Sequence, residues 1–161
     1  MIKSVYIDNN ATTAVAPEVT ECMLPFFHEH WGNPSSMHAF GGNVKKHIDK
    51  ARDQVAALIG ADHPSEIIFT SCGSESNNMA IRGTVDAMGG HPHIMTTRVE
   101  HAAVLGPCHH LEDRSYRLTT LEVDAMGHLD LDQVREAAKS GNKTVASIMW
   151  ANNETGVIFP V

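Results

Sequence analysis

Val44, Ile48, Ala51, Val55 and Leu58 recur three and four residues apart and predict a helix over residues 42–59, with Gly60 at its C′ position. An earlier helix starts at Pro17, whose missing N–H costs nothing in a first turn, and runs towards His30. Residues 66–70 are a short apolar run that reads as a buried strand. It leads into the Ser/Gly/Asn-rich segment 71–78 and a helix carrying Met79, Ile81, Arg82 and Val85. A strand over 93–96, a helix over 104–111 and a strand over 116–123 follow. Asp130 with Gln133 three residues on reads as a capping box, opening a helix that ends near Gly141. Residues 144–150 form the last strand, ahead of the polar loop 151–156.

Strands alternating with helices of about ten residues predict an α/β fold, a mostly parallel sheet flanked by helices in three layers. Ligands bind such sheets beyond the carboxyl ends of the strands. The loops after Thr70, Thr97 and Trp150 all belong to that edge. Gly32-Asn-Pro-Ser-Ser36 is a turn by composition. No repeat or low-complexity linker interrupts the chain, so residues 1–161 read as one unit.

Composition narrows the classes. Apolar residues make up 42% and charged residues 19% of the 161, which fits a folded chain and not a disordered one. Twelve basic against 19 acidic residues give a formal charge of −7, scattered, with only Lys45 and Lys46 adjacent. Without a basic arm or an aromatic stacking series, nucleic acid is not an expected partner. No run is long and apolar enough for a membrane span, and there is no h-region at the N-terminus. Cys22, Cys72 and Cys108 are odd in number and widely spaced, which fits a reducing cytoplasm better than a disulfide framework.

Three segments carry candidate chemistry. At 70–76, Gly73 permits a close turn and Ser74 offers a hydroxyl where a helix begins; free N–H groups there suit a phosphate. It is neither a Walker A loop nor a dinucleotide G-x-G-x-x-G, and an ordinary strand–helix turn has the same composition. Glu100-His101 puts a histidine at a strand exit, able to stack on a planar ring or move protons, or merely to start a helix. Asn152-Asn153-Glu154-Thr155-Gly156 could present amides to a ligand oxygen or form a simple polar turn. The pairs His28/His30, His91/His93 and His109/His110 suggest a metal, but no cysteine or carboxylate cluster completes a site and none is expected. Cys72 lies where a thiolate would be stabilised. Cys22 and Cys108 fall in helical patterns and are expected to pack.

Taken together and in order, five segments resemble the nitrogen-fixation-type cysteine desulfurases of the class V aminotransferase superfamily, fold-type I pyridoxal-phosphate enzymes. They are Tyr6-Ile-Asp-Asn-Asn-Ala-Thr-Thr13, Gly32-Asn-Pro-Ser-Ser-Met-His38, Ile68-Phe-Thr-Ser-Cys-Gly-Ser-Glu-Ser-Asn77, Val99-Glu-His101 and Ser147-Ile-Met-Trp-Ala-Asn-Asn-Glu-Thr-Gly156. The resemblance implies conversion of L-cysteine to L-alanine with persulfide sulfur passed to an iron–sulfur scaffold or other acceptor protein. It implies pyridoxal 5'-phosphate as cofactor, Gly73 and Ser74 on its phosphate, His101 stacked on its ring and assisting proton transfer, and Asn153 near the ring hydroxyl and substrate carboxylate. Asn33 to Ser36 and the 9–13 segment would line or support the site near a dimer mate, the full-length form being a homodimer. Residues 1–60 would be an N-terminal arm with helices, and 61–161 the first half of the cofactor-binding large domain.

Ser74 stands where threonine is usual and keeps the hydroxyl; Trp150 replaces a frequent histidine. The resemblance also implies elements this sequence lacks: the cofactor-holding lysine, its Asp and Gln partners, the sulfur-accepting cysteine and a substrate-binding arginine. The chain is therefore expected to be an N-terminal portion, inactive alone, with exposed apolar faces. Selenocysteine lyase or another class V lyase, and a non-catalytic remnant that binds a partner, are the alternatives.

Overall fold

The computed structural model describes residues 4–139 and 143–161, which fall into two compact units, 1–69 and 70–161. In the first, α1 (Pro17–Met23) and α2 (Pro25–His28) replace the single helix expected over 17–30. Pro25 has no N–H to give back to the preceding turn and so begins a new helix. The long α3 (Ala39–Ile59) begins three residues earlier than expected, because the His38 ring accepts from Gly41 N and caps it. It ends at Gly60, whose φ of +72° is the left-handed stop anticipated there.

Residues 66–70 form no strand. Pro64–Glu66 form a single 3-10 turn, with Glu66 N donating to His63 O and Ile67 N to Pro64 O; Ile67 alone is buried, and Ile68 and Phe69 face solvent. An extended segment becomes a strand only through a ladder, and none forms with 66–70 among the described residues. Cys22 is exposed rather than packed, since α1 buries nothing.

The second unit holds the sheet. α4 (Gly73–Met88), β1 (His93–Thr97), α5 (Ala102–Glu112), β2 (Leu118–Leu121), α6 (Leu131–Ala138) and β3 (Thr144–Ser147) follow in turn. The strand order is β2-β1-β3 and both pairings are parallel, so β1 is central and buried along its whole length. Ile94 sits opposite Leu118 on one side and Val145 on the other. These three meet Ile81 and Val85 of α4 and Val104, Cys108 and Leu111 of α5. Met95, one residue on, points to the opposite face. It joins Leu121, Leu129 and Phe159, with Val134 and Ala137 of α6 packed against them. Helices on both faces of a parallel sheet give the three expected layers.

Asp130 caps α6 through Asp132 N, but the reciprocal half of the box is missing: Gln133 Oε1 instead accepts from Glu122 N at 3.3 Å. The expected end of α6 near Gly141 lies outside the described residues. No helix is long and apolar enough to cross a membrane among the described residues.

Candidate active site at the carboxyl edge of the sheet

Lys143, just ahead of β3, donates from Nζ to the Met88 carbonyl at the end of α4, 3.1 Å away. The C-terminus of α4 therefore lies at the amino end of β3. Ala80, Ile81, Thr84 and Met88 line a groove with the four residues of β3, so the two elements lie alongside each other in opposite directions. From Met88 back to Gly73 the helix rises about 22 Å, whereas β3 spans only about 10 Å. The first turn of α4 is thereby carried past the carboxyl end of β3, to the edge where the β1 and β3 loops emerge.

Gly73 and Ser74 are the first two residues of that turn and both are exposed. A Cβ on Gly73 would meet nothing within 4 Å, so the space above its backbone is open. Ser76 N makes the first bond back to Cys72 O; the earlier N–H groups have no helical acceptors, and those of Ser74 and Glu75 face the Cys72 sulfur. The Ser74 hydroxyl takes no partner among the described residues. Glu75 turns away to the preceding loop, accepting from Ser71 N at 2.6 Å and Ser71 Oγ at 2.7 Å. Those two bonds hold its carboxyl below the usual range, the backbone one foremost.

His101 is the N-cap of α5. Its Nδ1 accepts from Ala103 N at 3.0 Å, which puts the ring proton on Nε2, and the ring is exposed. Glu100 beside it is buried, with Oε1 accepting from Met149 N at 2.5 Å and Thr97 Oγ1 at 3.4 Å. Burial pushes its carboxyl above the ordinary value, against the smaller opposing pull of those two donors.

The two asparagines after β3 divide the work. Asn152 is buried and spent on backbone: Nδ2 donates to Val99 O at 3.1 Å, and Oδ1 accepts from Glu154 N, Thr155 N and Thr155 Oγ1. Asn153 is exposed, its Nδ2 donating to Glu154 Oε1 at 3.1 Å. The loop returns through Gly156, at φ +75°, and Phe159 N donates to Trp150 O at 2.8 Å. Phe159 is then fully buried, which is worth about 2–3 kcal/mol and anchors the turn that presents Asn153.

All four expected site residues thus belong to loops or helix ends of one sheet edge, within one unit. Sequence reasoning missed the roles of Glu100 and Asn152. Their signal was faint: a carboxylate directly after an apolar strand, and a doubled asparagine of which only one can face out. Among the described residues no group of three or more His, Cys, Asp and Glu converges to hold a metal. His93 is buried against Thr119 and His109 lies beside Glu112.

The open glycine backbone, the free hydroxyl at the positive end of a sixteen-residue helix, and the exposed imidazole and amide fit a planar, phosphate-bearing group. The sequence profile described as aminotransferase class-V matches residues 5–161. The chain belongs to the class-V aminotransferase family. Within the family it is 54% identical over 157 residues to the cysteine desulfurase of Trichormus azollae, and 48% identical over 157 residues to the cysteine desulfurase NifS of Azotobacter vinelandii. In both cases the match covers 98% of this chain and 39% of the relative, so the chain spans about two-fifths of the length of these curated relatives. Among solved structures, a NifS-like protein superposes with a TM-score of 0.87 at 38% identity, covering 97% of this chain and 43% of that one. A structure of SspA in complex with cysteine gives 0.87 at 37% identity, covering 98% and 45%.

Proposed function

We propose that this chain carries one wall of the pyridoxal 5'-phosphate site of a cysteine desulfurase that acts on L-cysteine. The observation that supports it most directly is that the α4 N-terminus, His101 and Asn153 all lie towards the carboxyl edge of one parallel sheet, in a chain of this family. In this reading the N–H groups of the first turn and the Ser74 hydroxyl bind the phosphate, helped by the helix dipole. His101 covers the ring, and its Nε2 gives and takes a proton while Nδ1 stays fixed by Ala103 N. Asn153 directs its amide at the ring hydroxyl or the substrate carboxylate. The cofactor supplies the electron sink that lets the C–S bond of cysteine break; the residues here bind, orient and move protons around it.

The same reading makes residues 1–60 the N-terminal arm and helices, and 61–161 the first half of the large domain. It makes the whole protein a cytoplasmic homodimer that hands sulfur to an iron–sulfur scaffold or other acceptor. The three site loops (70–76, 97–103 and 148–156) contain no lysine. Lys45 pairs with Asp49, Lys139 with Glu136, and Lys143 lies at the opposite edge of the sheet. The 161-residue chain assayed alone is therefore expected to bind the cofactor without turning over cysteine.

Titration of the ¹⁵N-labelled chain with pyridoxal 5'-phosphate, followed by amide and side-chain shifts, tests this. Movement is expected at Gly73, Ser74, His101 and Asn153, weakened at least tenfold by Ser74→Ala, with no sulfide or alanine released from L-cysteine. Shifts confined to surface lysines, or family-like turnover, would overturn the corresponding half of the reading.

A further inference from the structure

The ladder between β1 and β3 ends at the pairing of Thr96 with Ser147, reinforced by Thr96 Oγ1 donating to Ser147 O at 2.9 Å. Beyond it the two chains are free to diverge, since each becomes a loop. They do not. Glu100 reaches across to Met149 N, and Asn152 reaches back to Val99 O, so two side chains brace the loops in opposite directions.

The brace is costly for what it replaces. Glu100, only 8% exposed, places an acid in the interior to satisfy one backbone N–H and one threonine hydroxyl. What this side chain adds is an acceptor oxygen that reaches across the gap and fixes the direction of the bond, here at 2.5 Å. Its own backbone joins directly to His101, and its acceptor bond ends four residues before Asn153. The side chain itself is buried.

We propose that Glu100 is a positioning residue that, with Asn152, sets the spacing between the His101 ring and the Asn153 amide. This rests on the cofactor-site reading for its purpose but not for its geometry. Glu100 holds the exit of β1 to the exit of β3; Asn152 closes the same gap from the other side while shaping its own turn. The two exposed groups inherit a fixed separation from the two buried ones.

The test uses the ¹⁵N-labelled 161-residue chain with Glu100→Ala, Glu100→Gln and Glu100→Asp. Glu100→Ala is expected to speed amide exchange at Met149 at least tenfold and to shift the His101 ring and Asn153 side-chain signals. It is also expected to weaken pyridoxal 5'-phosphate binding at least tenfold, while protection along β1–β2 and in α4 is kept. Gln retains the acceptor oxygen and should restore all three readouts to within about threefold of the parent. Asp retracts the carboxylate by one methylene and should fall between them; it carries the test if the Ala variant does not fold. Faster exchange at Met149 with unmoved His101 and Asn153 signals would overturn the proposal. So would a uniform loss of protection in the Asp variant, or failure of Gln to rescue. If the parent chain binds no pyridoxal 5'-phosphate, the cofactor reading fails, and the two side-chain signals still decide the brace.

Discussion

Cys72 and Cys108 carry the same thiol under opposite conditions. Cys72 is exposed at the start of α4, where the Glu75 N–H above all, then the Ser71 hydroxyl and the Ser74 N–H, hold its thiol below the ordinary value. Cys108 is fully buried in α5, and burial pushes its thiol up. A lowered thiol ionises at lower pH, so iodoacetamide should label Cys72 with a pH–rate midpoint below the ~8.5 of a free cysteine. Cys108 should stay unlabelled until the chain unfolds. Ser71→Ala should move the Cys72 midpoint upward; a midpoint at or above the free-thiol value in the parent would disprove the assignment. The residues facing solvent at this edge were legible in sequence because short polar segments follow apolar runs there: a glycine and serine opening a helix, a histidine between a strand and the next helix. Glu100 and Asn152 were not, because their partners are 49 and 53 residues away and only the strand register says that they meet.

At the scale of elements, apolar patterning located α3, α4, α5 and all three strands of the sheet: Ile81 and Val85 of α4 and Val104, Cys108 and Leu111 of α5 are buried at helical spacing, and β1 is buried throughout. It failed where an apolar run had no partner, at 66–70, and where a proline interrupted a pattern, at Pro25. The first is invisible without knowing what lies alongside; the second is local, since Pro25 itself marks the break. The glycines of α3 show how local such demands are. A Cβ on Gly41 would stand 2.4 Å from Asn33 O and 2.7 Å from Ser36 O, whereas one on Gly42 would meet nothing within 4 Å. Gly41→Ala should therefore separate the 33–36 turn from the helix and cost about 1–3 kcal/mol, as overpacking does. Gly42→Ala should be neutral or stabilise by up to about 1 kcal/mol, through helix propensity. Urea unfolding followed by circular dichroism compares them; equal effects would mean the close approach does not govern the site.

For the whole molecule, the two units differ in how much they bury. Residues 70–161 have a core on each face of the sheet. Among the described residues of 1–69 only Gly41, Ala56 and Ile67 are buried, and Val5, Ile7, Phe27, Met37 and Leu58 stand largely in water. Apolar surface on that scale favours association. Sedimentation of the isolated chain should show species heavier than its 17.5 kDa, together with enhanced fluorescence of an apolar dye. A monodisperse monomer that leaves the dye dark would show that this surface is covered within the chain itself.

The strand order carries a consequence for how the molecule comes into being. β1 finds its first neighbour, β2, some 24 residues further along the chain, and its second, β3, only after about 50. Closing the shorter loop costs less entropy, and on a ribosome β2 is also made first. The pair β1–β2 with α5 across it can therefore consolidate while β3 is still being synthesised. The brace from Glu100 must wait for Met149, so the exits of β1 and β3 can be tied together only after the β1–β2 pair has had time to form.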